Sequence, residues 1–100
     1  MPYIAKARLC YEDKVKYPDS SRAVLIIWEL PHATQDRPHG YKYRMNYSTA
    51  DGTTIFRLDN KSGKGDHMHV YEKEFRYTFT SIDVLISDFW QTVRFYRERR

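Results

Sequence analysis

Apolar and polar residues alternate with a period of two through a series of short segments, and only the last stretch changes to a helical period. This pattern constrains the chain most. Strands put successive side chains on opposite faces, whereas a helix groups positions three and four apart. Tyr3 to Tyr11 alternates, with Tyr3, Ala5, Ala7, Leu9 and Tyr11 on one face and Lys6, Arg8 and Cys10 on the other, and is expected to be a half-buried strand. Lys14 to Arg22, with Pro18, Asp19, Ser20 and Ser21, is expected to turn. Ala23 to Leu30 is apolar and rich in β-branched residues, as a central strand is, and Pro31 ends it. Residues 31 to 40 then form a long loop. Tyr41 to Tyr47 and Thr53 to Leu58 are expected to pair through the Asp51-Gly52 hairpin signal. His67 to Tyr71 and Phe75 to Phe79 are expected to pair around Glu72, Lys73 and Glu74.

From Ser81 the period changes. Ile82, Leu85, Ile86, Phe89, Val93 and Tyr96 make a stripe at helical spacing, Thr80 or Ser81 can cap it, and Asp83 suits the first turn. The expected fold is α+β in two layers: a mainly antiparallel, twisted sheet of five to six strands within residues 3–79, packed against one C-terminal helix over about 81–97. With 100 residues, 41% of them hydrophobic and 16% aromatic, one domain spanning 1–100 is expected.

The single cysteine, Cys10, excludes an intrachain disulfide and a cysteine-based zinc site within the chain. No apolar run approaches the roughly 20 residues of a membrane span, and the first residues lack the apolar core of a signal peptide, so a cytoplasmic protein without membrane contact is expected. The net charge of +4 favours polyanionic partners weakly. Arg94, Arg97, Arg99 and Arg100 crowd the C-terminus, where they suit a helix dipole and solubility.

Special chemistry is concentrated between Asp59 and His69. Gly63 and Gly65 flank Lys64, so the backbone can adopt positive φ and turn its amides toward an anion, with the lysine as a point charge. The spacing is wrong for a Walker A loop, and no helix follows. His67 and His69 are two apart, so on a strand they share a face, roughly 7 Å apart at their backbones. Two imidazoles can act as general base and general acid in RNA cleavage, with Asp66 or Asp59 orienting one of them. Lys64, Arg44 or Arg57 would stabilise charge on the phosphorus oxygens. Lys42, Arg44, Asn46, Arg57, His67 and His69 all alternate away from their strands' apolar positions, and can meet on a sheet face that the helix leaves open. His-x-His plus an aspartate also suits zinc, iron or manganese, and structural or partner-contact histidines are the third reading.

The run Asp59-Asn60-x-x-Gly63-Lys64-Gly65-Asp66-His67-x-His69 resembles the signature of the TumE-type toxin family of bacterial toxin–antitoxin systems. Tyr41-Lys42-Tyr43-Arg44, Trp28 followed by Pro31, and Phe79, Ser81, Leu85, Asp88 and Phe89 support the likeness, which covers residues from about 24 to about 92. Leu58 departs from it, standing where the family often carries an aromatic residue, and the tail from Arg94 is more basic than the signature requires. The resemblance implies a small toxin neutralised by a helix-turn-helix antitoxin. With the residue chemistry, it sets the leading expectation of an RNA-directed toxin, a metal-independent endoribonuclease needing no cofactor. His67, His69 and Asp66 would then be catalytic. Lys64, Gly63, Gly65, Lys42, Arg44 and Arg57 would hold phosphate or RNA, with Asp59 and Asn60 in support. The alternatives are a non-enzymatic protein- or nucleic-acid-binding module and a metal-dependent hydrolase.

Overall fold

The computed structural model describes residues 6–61 and 63–99. Strands β1 (Arg8–Lys16), β2 (Arg22–Glu29), β3 (Tyr41–Ser48), β4 (Thr54–Asp59), β5 (His67–Val70) and β6 (Lys73–Arg76) lie side by side in chain order, each antiparallel to the next, and helix α1 (Ile82–Glu98) follows. The two-layer α+β architecture expected from the periodicity is the one found.

Alternation assigns the two faces. Tyr43, Met45 and Tyr47 of β3 stand opposite Ile27, Leu25 and Ala23 of β2; Met45 and Tyr47 stand opposite Leu58 and Phe56 of β4, which lead on to Met68 and Val70 of β5. The paired residues of β2, β3 and β4 are buried together with Leu85, Phe89 and Val93 of α1. Those three helix residues recur every fourth position, which turns one narrow stripe onto the sheet. Ile82, Ile86 and Tyr96 flank it, as their spacing predicts. Ser81 is the N-cap, its hydroxyl accepting from the Val84 amide at 3.1 Å, and Asp83 sits in the first turn. At the other end Arg97 reaches the β1–β2 turn and β3: it donates to Ser21 Oγ at 2.8 Å and to the Tyr47 hydroxyl at 3.3 Å, and its guanidinium lies 3.6 Å from the centre of the Tyr17 ring. It thus joins the last helical turn to the sheet instead of serving only the helix dipole.

Two strands differ from expectation. The first runs over Arg8–Lys16 rather than Tyr3 to Tyr11, and the turn is confined to 17–21. Its pairing with β2 from Arg8↔Glu29 to Lys16↔Arg22 outweighs local alternation, because the apolar β2 needs a neighbour along its whole length. A register shift between Leu9 and Tyr11 puts these residues opposite Trp28 and Ile27 respectively, so they lie on opposite faces. The expected strand's start, before Lys6, lies outside the described residues. At the far edge, β6 covers Lys73–Arg76 instead of Phe75 to Phe79. The hairpin turns at Tyr71 and Glu72, with Tyr71 at φ 54°, so Glu74 faces His69 within the ladder. Tyr77 and Phe79 leave the sheet and pack against the core.

Phe89 is fully buried, with its ring 5.9 Å from that of Phe56. Phe89→Ala is expected to lower unfolding free energy by about 3–5 kcal/mol, the cost of a large aromatic cavity, read as a shift in the urea midpoint at unchanged slope.

Candidate functional site

The register that buries one face of the sheet lines up polar residues on the other. Arg44, Asp59, His67 and Arg76 are successive cross-strand partners from β3 to β6; Asn46, Arg57, His69 and Glu74 form the adjacent row. Lys42 lies two residues before Arg44 on β3, so it shares this face. The expected convergence of Lys42, Arg44, Asn46, Arg57, His67 and His69 is therefore present in the fold. Beside it, β2 contributes Val24, Ile26 and Trp28, with the Lys42 ammonium 5.3 Å from the Trp28 ring centre.

A cleft of about 560 Å³ opens there, lined by Arg37, Lys42, Tyr43, Arg44, Arg57, Asp59 and Lys61. Five cationic side chains surround one carboxylate, so the cleft suits an anion. Asp59 is the carboxylate, and it is already contacted: Oδ2 is 2.9 Å from Arg57 Nε, and Oδ1 is 2.7 Å from His67 Nε2. Neither contact is aligned as a hydrogen bond. Arg57 Nε, Asp59 Oδ1 and His69 Nε2 are buried atoms without an aligned partner among the described residues. His67 is 5% exposed, and its Nδ1 faces the Gly65 carbonyl at 2.9 Å. A carbonyl only accepts, so Nδ1 carries the hydrogen. The His67 and His69 ring centres are 4.8 Å apart, edge to face. Burial, with the nearby Arg57 and His67, pushes the His69 pKa below its ordinary value, favouring the neutral ring. Asp59, His67 and His69 bring one oxygen and two nitrogens within 4.8 Å of one another, a donor set able to hold a metal ion.

The glycine loop has another arrangement. Gly63 and Gly65 take φ of 85° and 74°, as their sequence suggests. The Gly63 amide, however, donates to Asp36 Oδ2 at 2.7 Å, so its anion is a carboxylate of the 31–40 loop. That amide and the Thr34 hydroxyl hold the Asp36 pKa down at about 2. Lys64 is not among the cleft-lining residues; its ammonium lies 4.0 Å from Glu74. Asp66 accepts from the Tyr43 hydroxyl at 2.6 Å and lies 3.0 Å from His39 Nε2, so it orients that histidine, while Asp59 contacts His67. Burial and the Asp66 hydrogen bond push the Tyr43 pKa up, keeping the phenol protonated as donor. His39 also stacks on Phe79 at 3.9 Å.

Asn60 links the two loops to the sheet. Its side chain accepts from the Tyr43 amide at 3.0 Å and donates to the Tyr41 carbonyl at 2.7 Å, so it continues the ladder where β4 ends. Its own carbonyl accepts from Arg37 Nε at 3.0 Å, which holds that cation at the cleft. His39, Arg37 and Asp36 all lie in the long loop of residues 31 to 40, far in sequence from the Asp59–His69 segment. These contacts span 23 to 27 residues, a separation that local spacing does not encode. Asn60→Ala removes the partners of two backbone groups and is expected to cost about 2–4 kcal/mol of stability. Faster hydrogen exchange at the Tyr43 amide would locate the loss.

Comparison with curated proteins and with solved structures gives no match. The model of one family, Toxin TumE, matches residues 2–97. That span takes in all six strands and nearly all of the helix, and with them the basic cleft and the Asp59–His69 segment. The chain belongs to the TumE toxin family, which implies an antitoxin as its partner.

Proposed function

We propose that this toxin acts on RNA, binding a single strand across the open sheet face and cleaving it as an endoribonuclease. The observation that carries the reading is the cleft in which Arg37, Lys42, Arg44, Arg57 and Lys61 surround Asp59, with His67 and His69 on the adjoining strand. Cations arrayed on a strand face attract a phosphate backbone without reading its sequence. Trp28 beside them offers a ring on which an unpaired base can stack, with Ile26 and Val24 as apolar neighbours.

The reaction needs only groups of the chain. His69, whose Nε2 makes no aligned hydrogen bond, takes the proton of a 2′-hydroxyl. The 2′-oxygen attacks phosphorus, and the bond to the 5′-oxygen breaks. His67, held between Asp59 and the Gly65 carbonyl, returns a proton to that leaving oxygen. Arg44 and Arg57 stabilise the charge gathered on the non-bridging oxygens. A cognate helix-turn-helix antitoxin would silence the toxin by covering this face. The second reading, RNA binding without cleavage, is favoured by the burial of His67, whose ring nitrogens are both occupied by protein contacts.

The test is incubation of the purified chain with end-labelled RNA. Cleavage leaving 2′,3′-cyclic phosphate ends is expected, and His69→Gln should reduce its rate by about 10²–10⁴-fold, the range of a lost general base. Equal rates in wild type and variant would remove His69 from the mechanism; binding without any cleavage would establish the second reading. Arg44→Ala is expected to weaken RNA binding uniformly across sequences and to lower the salt dependence by about one phosphate contact, measured as log K against log salt.

A further inference from the structure

We propose that Asp59, His67 and His69 form a binding site for one divalent transition-metal ion of the zinc type. The three residues come from adjacent strands. Asp59 and His67 are direct cross-strand partners, and His69 follows two positions along β5 on the same face. Their donor atoms lie within 4.8 Å of one another, close enough for small side-chain rotations to bring them around one ion.

The hydrogen bonding around His67 suits a ligating histidine. Its Nδ1–H is committed to the Gly65 carbonyl at 2.9 Å, so in the neutral ring Nε2 presents a lone pair. That lone pair faces Asp59 Oδ1 at 2.7 Å in a contact that is not aligned as a hydrogen bond. Two acceptors at this separation repel unless a proton or a metal ion is shared between them; the proton serves when His67 acts as an acid, and a metal ion can take its place. Neighbouring ligands of a zinc-type ion stand in this relation, and a backbone carbonyl on the far ring nitrogen is the usual support of a ligating histidine. His69 Nε2 and Asp59 Oδ1 are buried without an aligned partner, which coordination would satisfy.

The charges partly offset one another. Arg57 Nε contacts the other oxygen of Asp59, at 2.9 Å, leaving Oδ1 available but setting a positive charge near the ion. Glu74 Oε1, 4.0 Å from His67 Nε2, opposes that charge and can approach as a fourth donor. Two imidazoles and a carboxylate favour zinc, cobalt or nickel over magnesium or calcium, which prefer oxygen throughout. Bound metal would occupy the His69 lone pair, so a metal-loaded chain could not use that nitrogen as a base.

The experiment uses the full chain after chelator treatment and without RNA. Zinc is titrated calorimetrically, and cobalt by its visible absorption. One equivalent per chain is expected, with cobalt bands of four- or five-coordinate intensity. His69→Gln and Asp59→Asn should each weaken binding at least tenfold, while His39→Gln, altered in the separate Asp66 cluster, should bind as wild type does. In the unaltered chain, zinc should shift the ring-nitrogen resonances of His67 and His69, a readout that does not depend on any variant folding. The absence of one-equivalent binding, undiminished binding by His69→Gln, or shifts confined to His32 and His39 would overturn the proposal. Because RNA is absent, failure here leaves the RNA-cleavage reading standing, and failure of RNA cleavage leaves this site standing.

Discussion

Leu85, Phe89 and Val93 of the one described helix are buried on the same side of the sheet, and no helix among the described residues covers the other side. A single helix offers one apolar stripe, whereas a sheet has two faces. The sheet meets this asymmetry by alternation. Tyr43, Met45 and Tyr47 go inward, and Lys42, Arg44 and Asn46 go outward from the same strand. Burying the first set brings the second together with Arg57, Asp59, His67 and His69. Core and cleft are therefore two consequences of one register. A one-residue slip of β4 would reverse both.

On that open face Arg57 has a central electrostatic position. It contacts Asp59, depresses the His69 pKa together with burial, and lines the cationic cleft. The buried atoms around it are close in space but incompletely hydrogen-bonded. Buried polar groups in folded proteins are normally paired, and exceptions concentrate where a ligand or a reacting group is accommodated. By contrast, the nearby cluster of Asp66, His39, Tyr43 and Asn60 is well satisfied and joins the 31–40 loop to the sheet. Two histidine–carboxylate pairs thus differ in character: Asp66 with His39 stabilises loops, and Asp59 with His67 stands beside the cleft.

Much of the fold was legible because its signals are local. The stripe from Ile82 to Tyr96, the Ser81 cap, the Asp51-Gly52 hairpin and the alternation of Tyr41 to Tyr47 each require only neighbouring residues. Local signals failed where pairing overrode them. β1 was displaced toward its partner β2, and Tyr71 took a turn conformation that a tyrosine seldom adopts. At the site, the shared face of His67 and His69 followed from their spacing. Gly63, in contrast, was legible as a positive-φ residue but not as the partner of Asp36.

Sequence by itself determined the two periodicities, and with them a two-layer sheet-and-helix protein carrying a polar, histidine-bearing segment between strands. Its motif also determined the family. Tertiary structure decided which carboxylate meets which histidine, and which cations share the cleft. Asp59 and His67 are brought opposite each other by the β4–β5 register, and Arg37 is carried to the cleft by a loop anchored on Asn60. The physical reason is reach. A periodic pattern records which face a side chain takes, while the neighbour across that face is set by strand pairing and loop packing over tens of residues.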